Sequence, residues 1–111
     1  MTGLEYQQLA QRTSNTKTTN SKIDNALLGL AGEVGELCDH AKKHLFQGHS
    51  FDRKHMIREA GDVAWYLAEL ASGLGCTLDD IFQANIDKLE KRYPGAVFDA
   101  EKSMHRAEDD D

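Results

Sequence analysis

Two cysteines, one proline and no long apolar run among 111 residues leave out a great deal. Cys38 falls within an apolar helical stretch and Cys76 follows a glycine turn, with no CxxC pair. A disulfide framework is therefore excluded, and both thiols are expected to be reduced in a cytoplasmic protein. No apolar segment approaches the roughly 20 residues a bilayer span requires, and Met1-Thr-Gly-Leu-Glu5 lacks the basic-then-apolar profile of a signal peptide. Positive charge is also scarce: 13 Lys and Arg face 19 Asp and Glu, for a net charge of −6. A nucleic-acid or anionic-membrane binder needs a basic face, so both classes are disfavoured. No alternating apolar pattern supports a strand, which leaves an all-α chain.

What is present is helical period. A short helix is expected from about Leu4 to Arg12, with Leu4, Tyr6 and Leu9 as docking residues. The polar run Thr13 to Ser21 carries no hydrophobic period and reads as a mobile loop. Ser21-Lys-Ile-Asp24 resembles a capping box and opens a long helix to about Phe46. Gln47-Gly-His-Ser50 breaks the period. A second long helix then runs from about Asp52 to Leu74, ending at Gly73 and Gly75, and the pair makes an antiparallel hairpin. Thr77-Leu-Asp-Asp80 begins a further helix that ends by Pro94, and the chain beyond Gly95 reads as irregular. The expected architecture is an antiparallel bundle of about four helices with two long central ones. One domain spans residues 1–106, followed by a disordered acidic tail at 107–111.

The chemistry lies in Glu33-Val-Gly-Glu36 and Glu59-Ala-Gly-Asp62. Positions i and i+3 share a helix face, so each pair offers two carboxylates to one point. Plotted at about 100° per residue, Leu27, Ala31, Val34, Cys38, Ala41 and Leu45 form one apolar arc with Glu33 and Glu36 beside it. Ala60, Val63, Ala64, Leu67, Ala71 and Leu74 form the equivalent arc beside Glu59 and Asp62. These arcs are the expected core faces. The surrounding small residues, Gly32, Gly35 and Gly61 among them, are expected to allow close backbone approach, since glycine inside a helix costs about 1 kcal/mol and asks for a reason. Clustered carboxylates repel unless a cation sits among them, and an all-oxygen set selects Mg²⁺, with Mn²⁺ as a substitute. Mg²⁺ completes its shell with substrate phosphates, which makes a phosphate ester or anhydride the natural substrate. Taken alone, an ExxE pair is most often solvated surface.

Ala31-Gly-Glu-Val-Gly-Glu-Leu37, Glu59-Ala-Gly-Asp-Val-Ala-Trp-Tyr66, Asn85-Ile-Asp-Lys88 and Lys91-Arg-Tyr-Pro94 together resemble the MazG-like all-α nucleoside triphosphate pyrophosphohydrolases, from about Leu27 to Arg106. The resemblance implies hydrolysis between the α- and β-phosphates to a nucleoside monophosphate and pyrophosphate, with house-cleaning of non-standard nucleotides as a role. It implies Mg²⁺ held by Glu33, Glu36, Glu59 and Asp62, and phosphate or sugar contacts from Asn85, Lys88 and Tyr66. Glu36 is the choice for the base that takes a proton from the attacking water. A homodimer or homotetramer is also implied, and exposed sides of the long helices would favour it. Lys42 and Lys43 are further candidates for phosphate charge, while Trp65, Phe46, Tyr93 and His44 are candidates for contact with the base. A di-iron bundle would want Glu-x-x-His, and His40 and His55 do not supply it. The rival from another class is a non-catalytic helical module for oligomerisation or partner binding.

Overall fold

A computed structural model describes residues 1–95 and 97–105. Five helices and no strand occur among them: α1 (Gly3–Gln11), α2 (Thr19–Phe46), α3 (Arg53–Gly73), α4 (Leu78–Arg92) and α5 (Ala100–Met104). The acidic tail expected at 107–111 lies outside the described residues. No described helix is long and apolar enough to cross a membrane. The chain forms two compact units, one from Met1 to Leu78 and one from Asp79 onward.

In the first unit α2 and α3 pack along their length as an antiparallel hairpin. The pairing runs from Ile23 against Gly73 at the open end, through Asn25 bonded to Glu69 and Gly29 against Tyr66, to His40 against His55 at the turn. Local chemistry fixes the ends. Thr2 and Glu5 form a reciprocal capping box on α1, with bonds of 3.1 and 3.2 Å. Thr18 caps α2 by accepting the Ser21 N–H, so the helix begins two residues before Ser21. Asp52 caps α3 through the His55 N–H. Gly75, at φ 72°, takes the left-handed turn after α3.

The face of α2 that meets α3 is not the face with the strongest apolar period. Ile23, Ala26, Leu30, Glu33, Leu37 and His40 are buried or half-buried in the seam. Leu27, Ala31, Val34, Cys38 and Leu45, expected as core, are exposed, with Leu27 54% and Leu45 68% open to solvent. Helical period ranks faces by apolarity but carries no information on which face meets which neighbour. The small residues behave accordingly. A side chain at Gly32, Gly35 or Gly61 would meet nothing, whereas one at Gly29 would run into the Tyr66 ring and one at Gly73 into Ile23. Close approach is thus bought by Gly29 and Gly73.

Beside the seam α3 also receives α1, through Tyr6, Gln7 and Ala10 instead of Leu4 and Leu9, which stay 42% and 47% exposed. Buried Gln7 donates its amide to the Ser72 hydroxyl and the Cys76 carbonyl, both at 3.0 Å, and accepts the Leu78 N–H at 2.8 Å. The segment expected to be a mobile loop is tied down by Glu69, which is fully buried. Its carboxylate accepts from Ser14 at 2.7 Å, Asn25 at 2.8 Å, Gln11 at 3.0 Å and Thr16 at 3.1 Å, with the Lys22 ammonium at 3.4 Å. Burial pulls its pKa up, but the hydrogen bonds from Gln11, Ser14, Asn25 and Thr16 outweigh that and hold it at about 2. A buried carboxylate satisfied this fully is a structural hub.

In the second unit α4 leaves Phe82 and Ile86 more than half exposed. Ile86, Leu89, Tyr93, Val97 and Phe98 line an apolar cavity there. The chain beyond Gly95, expected to be irregular, contains the five-residue α5, capped by Asp99 on the N–H groups of Glu101 and Lys102.

Candidate metal centre

Halfway along the hairpin the seam carries acids. Glu33 projects from α2, and Glu59 and Asp62 project from successive turns of α3. One carboxylate oxygen from each lies within 4.8 Å of the others. Glu33 and Glu59 are half-buried and Asp62 is exposed, so the cluster opens to solvent on one side. Glu33, Asp62, Trp65 and Tyr66 line the pocket at this opening.

The electrostatics are those of carboxylates held against one another. The Glu33 carboxyl is pushed above the usual glutamate value, first by withdrawal from water, then by the charges of Asp62 and Glu59, its hydrogen-bond contact with Glu59, and the charge of Glu36. Glu59 has His55 one turn earlier on α3, with Nε2 3.6 Å from its carboxylate. Across the seam His40 Nε2 accepts the Asp52 backbone N–H at 3.3 Å. Three carboxylates from two facing helices form an all-oxygen donor set, which fits a hard divalent cation.

The four acids named from sequence are therefore not equivalent. Glu33, Glu59 and Asp62 come together. Glu36 is exposed and stands outside the trio, although its charge reaches Glu33. Tyr66 lines the pocket, its ring seated on Gly29. Asn85 is exposed and Lys88 half-buried on α4 of the second unit. Lys42 and Lys43 both engage Asp39, at 3.5 and 2.9 Å, as pairs along one helix.

Sequence reasoning missed one contributor. Tyr6, on α1, places its hydroxyl 3.5 Å from the Gly61 carbonyl, and its pKa is raised by burial and then by the charge of Asp62. No sequence signal links positions 6 and 62, because α1 reaches the pocket only through tertiary packing.

Comparison with known proteins bears on the family of the chain. The "Gene 37 protein" of Mycobacterium phage L5 is 38% identical over 74 residues, covering 63% of this chain and 65% of that protein. The chain thus spans less than two thirds of that relative's length. No solved structure matches. Residues 21–97, which hold all four acids, all of α3 and all of α2 but its first two residues, match the MazG nucleotide pyrophosphohydrolase domain, and the chain belongs to that family.

Proposed function

We propose that this chain is a Mg²⁺-dependent nucleoside triphosphate pyrophosphohydrolase that breaks the bond between the α- and β-phosphates. The products are a nucleoside monophosphate and pyrophosphate. The observation that carries the reading is the convergence of Glu33, Glu59 and Asp62 within 4.8 Å, with no ammonium or guanidinium paired to them among the described ion pairs.

In this reading Glu33, Glu59 and Asp62 would hold the cation together with Glu36, one turn beyond Glu33. Mn²⁺ serves as the substitute. When bound, Mg²⁺ neutralises charge on the phosphate oxygens and makes a bound water more acidic. Glu36 is the base, taking the proton of the attacking water as the bridging P–O bond breaks and pyrophosphate leaves. The Tyr66 hydroxyl contacts phosphate or sugar. Asn85 and Lys88 contact phosphate, the lysine as a point charge. The substrate is a nucleoside triphosphate of the cytoplasm, and neither nucleic acid nor membrane takes part.

A second copy of the chain covers the apolar stripe of α2, where Leu28 is 77% and Phe46 81% exposed, giving a homodimer or homotetramer. A non-catalytic oligomerisation module would account for the stripe but leaves the three converging acids without a purpose. The test is product analysis by chromatography after incubation with Mg²⁺ and a panel of ordinary and modified triphosphates. Monophosphate and pyrophosphate are expected. Diphosphate and orthophosphate as primary products would contradict the reading.

A further inference from the structure

The acidic pocket has an aromatic wall that cation binding does not require. Trp65 and Tyr66 line it beside Glu33 and Asp62, their ring centroids 5.0 Å apart and their planes at 81°. The two rings make a right-angled corner, and both are fixed in place. Tyr66 is seated on Gly29, where a methyl group would collide with it. The Trp65 indole N–H donates to the Ala10 carbonyl at 3.1 Å and the Thr13 hydroxyl at 2.9 Å. These acceptors belong to the end of α1 and the residues just after it.

That segment is itself anchored. Thr13 lies between Gln11 and Ser14, and both of these donate to the buried carboxylate of Glu69. Gln7 binds α1 to the far end of α3. All of α1 precedes residues 21–97, so this grip on the pocket lies outside the family match.

The polar edge of Trp65 is already used by α1, so its π face is what remains to offer a ligand. A planar heterocycle attached to a phosphate chain is the ligand chemistry that suits a π face beside cation-holding carboxylates. We propose that Trp65 stacks on the nucleobase of the substrate, and that α1 is the positioning element that orients it. This rests on the reading of the substrate as a nucleoside triphosphate. Stacking is tolerant of base identity because every base has a π face. Trp65 therefore supplies affinity for the base, not a choice among bases.

Trp65 is the only tryptophan in the chain, so its fluorescence reports on this contact directly. The experiment titrates the full chain, with Mg²⁺, against non-hydrolysable α,β-methylene-ATP and against base-free tripolyphosphate, reading fluorescence and calorimetry in parallel. The nucleotide analogue should change Trp65 emission saturably, at the midpoint seen by calorimetry, and tripolyphosphate should bind with little change. Trp65→Leu should weaken the nucleotide analogue about tenfold and leave tripolyphosphate affinity unaltered, while Trp65→Phe retains most of the affinity. Thr13→Val, which leaves the pocket lining untouched, should weaken the nucleotide analogue alone by a smaller factor. Nucleotide binding without a change in emission would overturn the stacking and leave the hydrolase reading standing. Equal losses for both ligands in Trp65→Leu would also overturn it, by showing a merely structural role. Failure of both ligands to bind the wild-type chain would overturn it together with the hydrolase reading.

Discussion

Glu33 and Glu69 occupy the same seam between α2 and α3 and receive opposite treatment. Glu69 is fully buried, yet Gln11, Ser14, Thr16 and Asn25 all donate to it and Lys22 lies beside it. Glu33 is only half-buried, yet it faces Glu59 and Asp62, and its pKa is driven up. The fold is plainly able to satisfy a carboxylate in this seam when the carboxylate serves only the fold. Leaving three acids against one another two turns away is a cost that no structural purpose explains, and a bound cation would remove it.

The largest test of this contrast is at the trio. Asp62→Asn should lower turnover by about 10²–10³-fold, the scale on which loss of one electrostatic group acts in catalysis. The melting temperature of the cation-free protein should stay level or rise. A lower melting temperature with normal turnover would reverse the roles assigned to the two carboxylate groups. At the other pole, Glu69→Gln replaces an acceptor by an amide among donors and removes the negative charge that faces the Lys22 ammonium. It should cost about 3 kcal/mol and lower the melting temperature by roughly 10 °C or more. Mg²⁺ affinity measured on the folded variant should be retained.

Acid should expose the same hub. The folded pKa of Glu69, about 2, lies below its ordinary value of 4.5, so the native state binds this proton less readily than the unfolded chain does. The stability it supplies is complete above pH 4.5 and is lost as pH falls from there toward 2, to the extent of roughly 3 kcal/mol. Urea titrations across that window should show the loss in wild type and not in Glu69→Gln. Gly29→Ala comes next. Its methyl group must displace Tyr66, for a cost of about 1–3 kcal/mol and a weaker grip on substrate by calorimetry. The smallest effect on the fold belongs to Leu28→Glu on the exposed stripe, within about 0.5 kcal/mol. That variant should nevertheless lower the assembled mass in light scattering, and an unchanged mass would remove the stripe from any subunit interface.

Much of this contrast was legible from sequence on one side and hidden on the other. The spans of α2 and α3 follow from their apolar period, the Gln47 to Ser50 break and the glycines that end α3. The acids follow from i, i+3 spacing on two similar helices. The orientation of α2 did not follow, because its most apolar face, Leu27 through Leu45, points away from α3 while Ile23, Leu30 and Leu37 fill the seam. Glu69 gave no signal, since its partners lie 44 to 58 positions away and a glutamate within a helix reads as surface. Tyr6 and the Thr13 grip on Trp65 were hidden for the same reason. Helix α5 is too short to show a period.

The proposal that Glu33, Glu59 and Asp62 face one another in order to hold a cation is tested most directly by the melting midpoint of wild type and Glu33→Gln with and without Mg²⁺. Binding to the native state alone raises stability by mass action, about 2.7 kcal/mol at a hundred times the dissociation constant. Cation-free Glu33→Gln should melt at or above wild type, and Mg²⁺ should raise the wild-type midpoint much more than the variant's. An equal Mg²⁺ shift in the two proteins, or a lower midpoint for the variant without Mg²⁺, would contradict it.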